Sequence, residues 1–383
     1  MRIEINQIRR IIFKGMPGRN FNLPGQIQNR IFETLKRHTP ERPTVGIAAD
    51  FDRTLVNTDE KNRIFPSIQT DTSHVLDPIA ALGICGFPTA VISGNKPSYI
   101  DTLFTEGYRN RLEEQARLST MERFRAFSQN STWQEAFNTL GEKLPDVSAK
   151  YAQQYLFQST DIDTIENSFR LPLSKAIGSN FMMEKPLIIR PGGSNEILKT
   201  YGPIFENRNG TQLSWIAVPG PLRQGIIKGA IETMPQEFPK KYKFEPGGQY
   251  SIDINHINVE KPNGARDFMD QFGLELLLYF GDSVYERDGY EGNDLAVRKV
   301  KNAFVFAVDP DQSEIPEGEN IIKAGPTPDA TYAWMTWIFA NYVSIRFATQ
   351  GVHDSEKNMI MKAIINNHLQ EKLIENYQII NNL

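Results

Sequence analysis

The chain has 383 residues, 40% of them hydrophobic and 23% charged, with a formal net charge of −4. That length and balance allow a sizeable core and two or three domains, while the slight acidity argues against a nucleic-acid-binding surface, which carries a basic excess. Cys85 is the single cysteine, which excludes an internal disulfide and fits a reducing compartment.

Residues 1–42 mix basic and apolar positions, and PGQIQNRIFETLKRH reads as a helix stopping before Pro40 and Pro43. The opening MRIEINQIRRIIFKGMPG has no apolar run of signal-peptide length. TVGIAAD is a short, continuously apolar run, as expected of a parallel strand covered on both faces. HVLDPIAALGICG has helical spacing and a terminal glycine, and FPTAVISG reads as a second buried strand. Strand, helix, strand implies a crossover in a parallel sheet. From about 98 to 180 the chain is polar and helix-prone. From 185 to 257 it turns strand-like, in KPLIIRPGG, GTQLSWIAVPG and YKFEPGGQYSIDIN. Near 260 the first pattern resumes, with NGARDFMDQFG as helix, LELLLYFGD as strand, DLAVRKVK as helix and NAFVFAVD as strand.

Two helices end the chain, DATYAWMTWIFANYVSIRF and SEKNMIMKAIINNHLQEKLIENY. The apolar AWMTWIFANYV is about half a membrane span in length and carries Thr336 and Asn341. The expected fold class is α/β. A Rossmann-like, three-layer parallel-sheet core (43–97 and 258–345) is interrupted by a large α/β cap (98–257, helical to 180 and strand-rich from 185). An N-terminal helical extension (1–42) and a C-terminal helix (346–383) flank it. A soluble cytoplasmic protein with no membrane partner is the economical expectation.

Asp50 and Asp52 stand two positions apart where TVGIAAD stops. Side chains at i and i+2 of a strand share a side, about 7 Å apart, so both acids should look into one site at the carboxyl end of the strand. Ligands of open α/β sheets bind there. Two bare carboxylates so close require a cation or a shared proton, and oxygen ligands select a hard metal such as Mg²⁺. Ser93 and Gly94 end the next strand, with a hydroxyl and an N–H to offer phosphate oxygens. Lys261 can neutralise charge on a transferring group, Asp282 ends a later strand, and Asn293-Asp294 close the loop behind it. Each feature alone is a common loop or cap composition; their order along the chain carries the signal.

In DFDRT (Asp50, Asp52, Thr54), VISG (Ser93), Lys261 and GDSVYERDGYEGND (Asp282, Asn293, Asp294), the chain resembles the haloacid dehalogenase superfamily of phosphotransferases. The resemblance implies Asp50 as the nucleophile that becomes an aspartyl-phosphate and Asp52 as general acid and base. It implies Mg²⁺ on the Asp50 carboxylate, the Asp52 main-chain carbonyl and Asp282, with Asn293 and Asp294 supporting. Arg53 stands where that family usually has glycine. The loop after Asp282 is longer than usual, and Asp288 and Glu291 are candidates for its second acid.

NRNGTQLSWIAVPGPLR and FEPGGQYSIDI look similar to the cap of eukaryotic-type phosphomannomutases. That likeness implies Arg208 and Arg223 as phosphate ligands, and Ser251 and Asp253 as ligands of sugar hydroxyls. The overall order also looks like the inosine-monophosphate-specific nucleotidases of the superfamily. The implied substrate is therefore a small phosphorylated metabolite, a sugar phosphate or a nucleoside monophosphate. Phe181, Trp215 and Tyr250 are aromatic candidates for stacking on a base, although at strand spacing such residues are more often core. A Mg²⁺-dependent phosphatase is the leading expectation. A phosphohexomutase, a non-catalytic binding or effector protein and a receiver-type phosphoacceptor are the alternatives.

Overall fold

The helix expected before Pro40 spans Gly25–Arg37 (α1) and buries Ile27, Ile31 and Leu35 at helical spacing. The computed structural model describes residues 23–56, 73–115, 117–145, 147, 152–177, 203–208, 210–247, 251–287, 290–309, 311–348 and 354–366. Phe181, Tyr250, Asp288, the expected strand KPLIIRPGG and the outer parts of both extensions lie outside these residues.

In chain order there follow β1 (Val45–Ala49), α2 (Ser73–Ile84) and β2 (Thr89–Ile92). The short helix α3 (Pro97–Ile100) runs through a π-type turn at Asp101–Thr105 into α4 (Glu106–Glu114). Next come β3 (Phe124–Ser128), β4 (Trp133–Ala136) and α5 (Ser159–Ile177). Then stand β5 (Ile204–Arg208), β6 (Gln212–Ile216), α6 (Arg223–Thr233), α7 (Phe238–Lys241), β7 (Tyr242–Gly247) and β8 (Ser251–His256). The chain returns with α8 (Lys261–Phe272), β9 (Leu276–Gly281), β10 (Glu286–Arg287), β11 (Tyr290–Glu291), β12 (Ala303–Val308) and β13 (Ile321–Gly325). It closes with α9 (Pro328–Ala348) and α10 (Asp354–Asn366).

Two compact units result, one from the described parts of 1–57, 70–145 and 260–383, the other from those of 146–259. The first holds a seven-stranded sheet of order β13-β12-β9-β1-β2-β3-β4. It is parallel throughout except for the β3–β4 hairpin. β1 is central and every residue in it is buried, which is why its sequence is continuously apolar rather than alternating. Val45, Ile47 and Ala49 face one apolar layer, which includes Trp334 and Ile338 of α9, while Ala48 faces the other, which includes Phe268 of α8. At Gly46 a Cβ would stand 2.3 Å from Leu274 Cδ1, so the α8 layer approaches the strand closer than a side chain would allow. The result is the expected three-layer, Rossmann-like core.

Residues 98–145 differ from expectation. They belong to the first unit rather than to the insertion, because β3 pairs in parallel with β2, from Thr89↔Phe124 to Ile92↔Phe127. Charge pairing in YRNRLEEQ does give a helix, α4. FRAFS, however, puts Phe124 and Ala126 into one layer and Phe127 into the other, a period of two that reads as strand. DLAVRKVK forms only a 3₁₀ turn, Leu295–Lys299. The apolar α9 is a core helix, and among the described residues no helix is long and apolar enough to cross a membrane.

The second unit holds an antiparallel sheet of order β5-β6-β8-β7. One face carries Leu213, Trp215, Phe244, Ile252 and Ile254, packed with Phe169 and Leu173 of α5 and Ile226 of α6. The other face is polar. One cross-strand row there runs Glu206, Ser214, Asp253, Glu245.

Candidate active site

Phe51 sets the direction of the two acids. Its buried ring meets Tyr99 and Phe104 edge-on at 5.6 and 6.3 Å. Alternation along the extended chain then turns Asp50 and Asp52 to the opposite side. Strand pairing continues one residue past β1, with Asp50 N donating to Phe280 O at 2.8 Å, which holds Asp50 against the end of β9. Asp282 lies just beyond that end.

Lys261, the first residue of α8, is buried and places Nζ 2.9 Å from Asp50 Oδ1 and 2.6 Å from Asp294 Oδ1. Pro262 follows it without cost, since the first turn of a helix has no partner for that N–H. Asp294 also accepts from the Tyr279 hydroxyl on Oδ1 and from Ser283 N at 2.9 Å on Oδ2. With three donors on it, Asp294 holds Lys261 in place. Gly281 lets it approach, for a Cβ there would stand 2.5 Å from Asp294 Cγ. Asp52 accepts from Asn95 Nδ2 on Oδ2 and from the Tyr99 hydroxyl at 3.2 Å on Oδ1. Ser93 Oγ accepts from Asn95 N and Asn95 Nδ2, both at 3.2 Å, so its own proton is free to donate. Arg53 Nη1 stands 2.9 Å from Asp282 Oδ2.

The electrostatics follow from burial. Asp50 is held well above the ordinary carboxylate range by burial, against the pull of Lys261 and with the push of Asp294, Asp282 and Asp52. Burial also raises Asp52, partly offset by the Asn95 and Tyr99 hydrogen bonds. Asp282 is pushed up to about 7 by burial, against the pull of Arg53. Burial works against the Lys261 ammonium, yet Asp294 and Asp50 keep its pKa above that of an ordinary lysine. Were all four carboxylates ionised, the two cations Lys261 and Arg53 would leave them two charges short of balance. One oxygen each from Asp50, Asp282 and Asp294 lies within 4.8 Å of the others. An all-oxygen donor set with that deficit fits a hard divalent ion such as Mg²⁺.

Of the residues expected from sequence, Asp50, Asp52, Ser93, Lys261, Asp282 and Asp294 come together at this sheet edge. Gly94 lies in the same loop, where a Cβ would stand 3.2 Å from Asn130 Oδ1. Asn293 is exposed, and Asp294 alone of that pair reaches Lys261. Glu291 is paired with Arg298 at 3.1 Å and with Lys299, away from these acids. Four residues of the second unit were also expected in a site. Arg208 pairs with Glu206 at 2.9 Å and Asp253 accepts from Ser214 at 2.7 Å. Ser251 Oγ donates to Gly247 O at 2.6 Å. Arg223 Nη1 donates to Gly247 O and Ser251 O at 3.1 and 3.2 Å, tying the start of α6 to the β7–β8 hairpin. Trp215, a candidate for stacking, is buried in the apolar face. Sequence reasoning missed Asn95, Tyr99 and Tyr279. Asn95 had a signal, since it follows Ser93-Gly94 directly, whereas the tyrosines read as helix and strand filling.

The parallel core sheet and the inserted second unit expected from the resemblance to the haloacid dehalogenase superfamily are both present. No protein-family model and no curated protein matches the sequence. Among solved structures the chain is similar to an N-terminally truncated IMP-nucleotidase of Plasmodium falciparum (12% identity, TM-score 0.49, 80% of this chain and 72% of that one). It is also similar to trehalose-6-phosphate phosphatase of Aspergillus fumigatus (13% identity, TM-score 0.44, 81% and 96%). A third is a trehalose-6-phosphate phosphatase related protein (12% identity, TM-score 0.42, 79% and 100%). These likenesses concern the fold; the functional reading rests on the site.

Proposed function

We propose that the protein is a Mg²⁺-dependent phosphatase of a small phosphorylated metabolite, working through an aspartyl-phosphate on Asp50. The observation that carries this reading is Lys261 set between Asp50 and Asp294 at 2.9 and 2.6 Å, with Asp282 within metal-sharing reach of both acids. The Asp50 carboxylate attacks phosphorus as the ester P–O bond breaks, and Asp52 gives its proton to the leaving oxygen. Burial holds Asp52 protonated further up the pH scale than an exposed aspartate, which suits an acid. Asp52 then takes a proton from water as that water attacks phosphorus and the Asp50–phosphorus bond breaks. Lys261 and the Ser93 hydroxyl offset charge on the transferring group. The Asp50 carboxylate, the Asp52 carbonyl and Asp282 would hold Mg²⁺, which when bound neutralises the acids and polarises phosphoryl oxygens.

For the leaving group, the polar sheet face carrying Arg208, Asp253, Ser214 and Ser251 suits hydroxyls and anionic oxygens better than a base. Arg223 contributes by holding that face together. The test is phosphate release from a panel of sugar phosphates and nucleoside monophosphates with Mg²⁺ and no bisphosphate activator. Sugar phosphates should be hydrolysed, and Asp50→Asn should abolish turnover by more than about a thousandfold. Turnover that persists in Asp50→Asn, or isomerised sugar phosphate in place of free phosphate, would overturn the proposal.

A further inference from the structure

Arg53 sits in a backbone conformation that disfavours it. Its φ is +58°, in the left-handed region where a Cβ crowds the following carbonyl and glycine is the natural occupant. Such strain persists only where surrounding structure enforces it, and it gathers at functional sites. What the arginine reaches from this position is Asp282. Nη1 stands 2.9 Å from Asp282 Oδ2, with the arginine side chain 33% exposed and the carboxylate 7%. The guanidinium therefore spans from solvent to the floor of the site. On the other carboxylate oxygen, Ser283 Oγ is 3.4 Å away. A glycine would satisfy the backbone and leave Asp282 without its cation.

Asp282 is also the acid whose oxygen lies within 4.8 Å of oxygens from Asp50 and Asp294. A carboxylate held by a guanidinium at 2.9 Å has less charge to offer a divalent ion, and the two cations repel each other across so short a distance. The partly exposed arginine has room to move away; the buried lysine, held by two acids, does not. A guanidinium released beside Asp50 meets the one anion the reaction brings there, and its planar fork matches phosphate oxygens. We propose that Arg53 is a built-in counter-cation. It holds Asp282 when no divalent ion is bound, competes with the ion for that carboxylate, and passes to the phosphoryl group once displaced. This rests on the phosphatase reading above, and it adds a substrate-contacting residue at a position the chemistry would otherwise leave to glycine.

The test reads binding rather than turnover. Mn²⁺ is titrated into the intact protein and free Mn²⁺ is followed by electron paramagnetic resonance, for wild type, Arg53→Gly and Arg53→Lys. Arg53→Gly should bind Mn²⁺ about tenfold tighter or more, the loss of one charge-assisted contact that competes with the ion, and Arg53→Lys should stay near wild type. With Mn²⁺ saturating, calorimetry should show orthophosphate binding to Arg53→Gly about tenfold weaker. Glycine suits the backbone at this position, so circular dichroism should show a folded variant. Equal or weaker Mn²⁺ binding in Arg53→Gly would overturn the competition and make Arg53 a fixed support for Asp282. Tighter Mn²⁺ with unchanged orthophosphate binding would overturn the transfer to phosphate. If neither wild type nor Arg53→Gly binds Mn²⁺, the metal-dependent reading of the site falls and this inference with it. If both bind it equally and Asp282→Asn does not, only this inference falls.

Discussion

The two ends of β1 bury ionisable groups to similar depth and treat them in opposite ways. At the amino end, His38 is fully buried, stacked on Phe87 with ring centroids 3.9 Å apart, and its Nδ1 accepts from Thr44 N and Val45 N at 3.2 Å. Burial, aided by Arg123 and Arg346, lowers its pKa to about 3, so the ring is neutral and the strain of burial is relieved by losing the charge. At the carboxyl end, Asp50, Asp52, Asp282 and Asp294 cannot all be relieved that way, because Lys261 and Arg53 are charged against them. A lone buried group sheds its charge; a cluster keeps part of it and acquires a need for counter-ions. Burial of a lone group and burial of a cluster differ in that residue of charge.

The harshest way to break the carboxyl end is to remove its hub. Asp294→Ala leaves the Lys261 ammonium and the Tyr279 hydroxyl without the acceptor they share. Breaking a buried ion pair costs about 3–5 kcal/mol; Asp50 still pairs with Lys261 at 2.9 Å, so urea unfolding should show a loss near the low end of that range. Asp294→Asn keeps an acceptor oxygen and should lose less. A loss under about 1 kcal/mol in Asp294→Ala, the level of an exposed ion pair, would mean that Lys261 is held by Asp50 alone.

The amino end can be sharpened by pH. The pKa of His38 is depressed in the folded state, so its contribution to stability is present above about pH 6.5 and is lost as pH falls toward about 3. Between those values one proton taken up on unfolding gives a slope of about 1.4 kcal/mol per pH unit. His38→Asn retains an acceptor for Thr44 N and Val45 N but does not titrate. Urea midpoints at pH 7, 6, 5 and 4 should therefore fall more steeply in wild type than in the variant. Parallel curves would show that other groups dominate acid unfolding.

How far the sequence alone could reach also differs between regions. Asp50 and Asp52, which alone read as a common turn or cap, were legible because Ser93, Lys261 and Asp282 follow them in order, each at the edge of a clear element. The choice between Asn293 and Asp294 was not legible, since the segment behind them folds as a 3₁₀ turn rather than a helix and one residue of rotation decides which side chain points inward. β3 and β4 were hidden by charge: ERFRAF looks like a paired-charge helix until β2 is available to pair with it. Nothing in DFDRT announces that Arg53 would adopt a positive φ, because side-chain identity argues against it and only tertiary contacts enforce it.

The mildest perturbation concerns the loop that braces the carboxyl end from the next strands. Gln129, Asn130 and Ser131 have φ of 52°, 53° and 73°, three consecutive non-glycine residues in the left-handed region. Gln129 N donates to Asn95 O at 2.9 Å and Asn130 N to Ser93 O at 3.0 Å, so this strained turn carries the loop that holds Ser93. Ser131 Oγ is buried without a hydrogen-bond partner among the described residues and lies 2.3 Å from where a Cβ would stand on Gly264 of α8. Ser131→Gly removes about 1–2 kcal/mol of backbone strain and about 1–3 kcal/mol of unsatisfied hydroxyl, against about 0.5–1 kcal/mol of extra chain entropy. Stability should rise by about 1 kcal/mol or more in urea unfolding. If the strain keeps Ser93 and Lys261 in register, turnover should fall severalfold at the same time, because a relaxed loop no longer presses on both. A variant that gains stability and keeps full turnover would show that the turn is a tolerated defect with no part in holding the site.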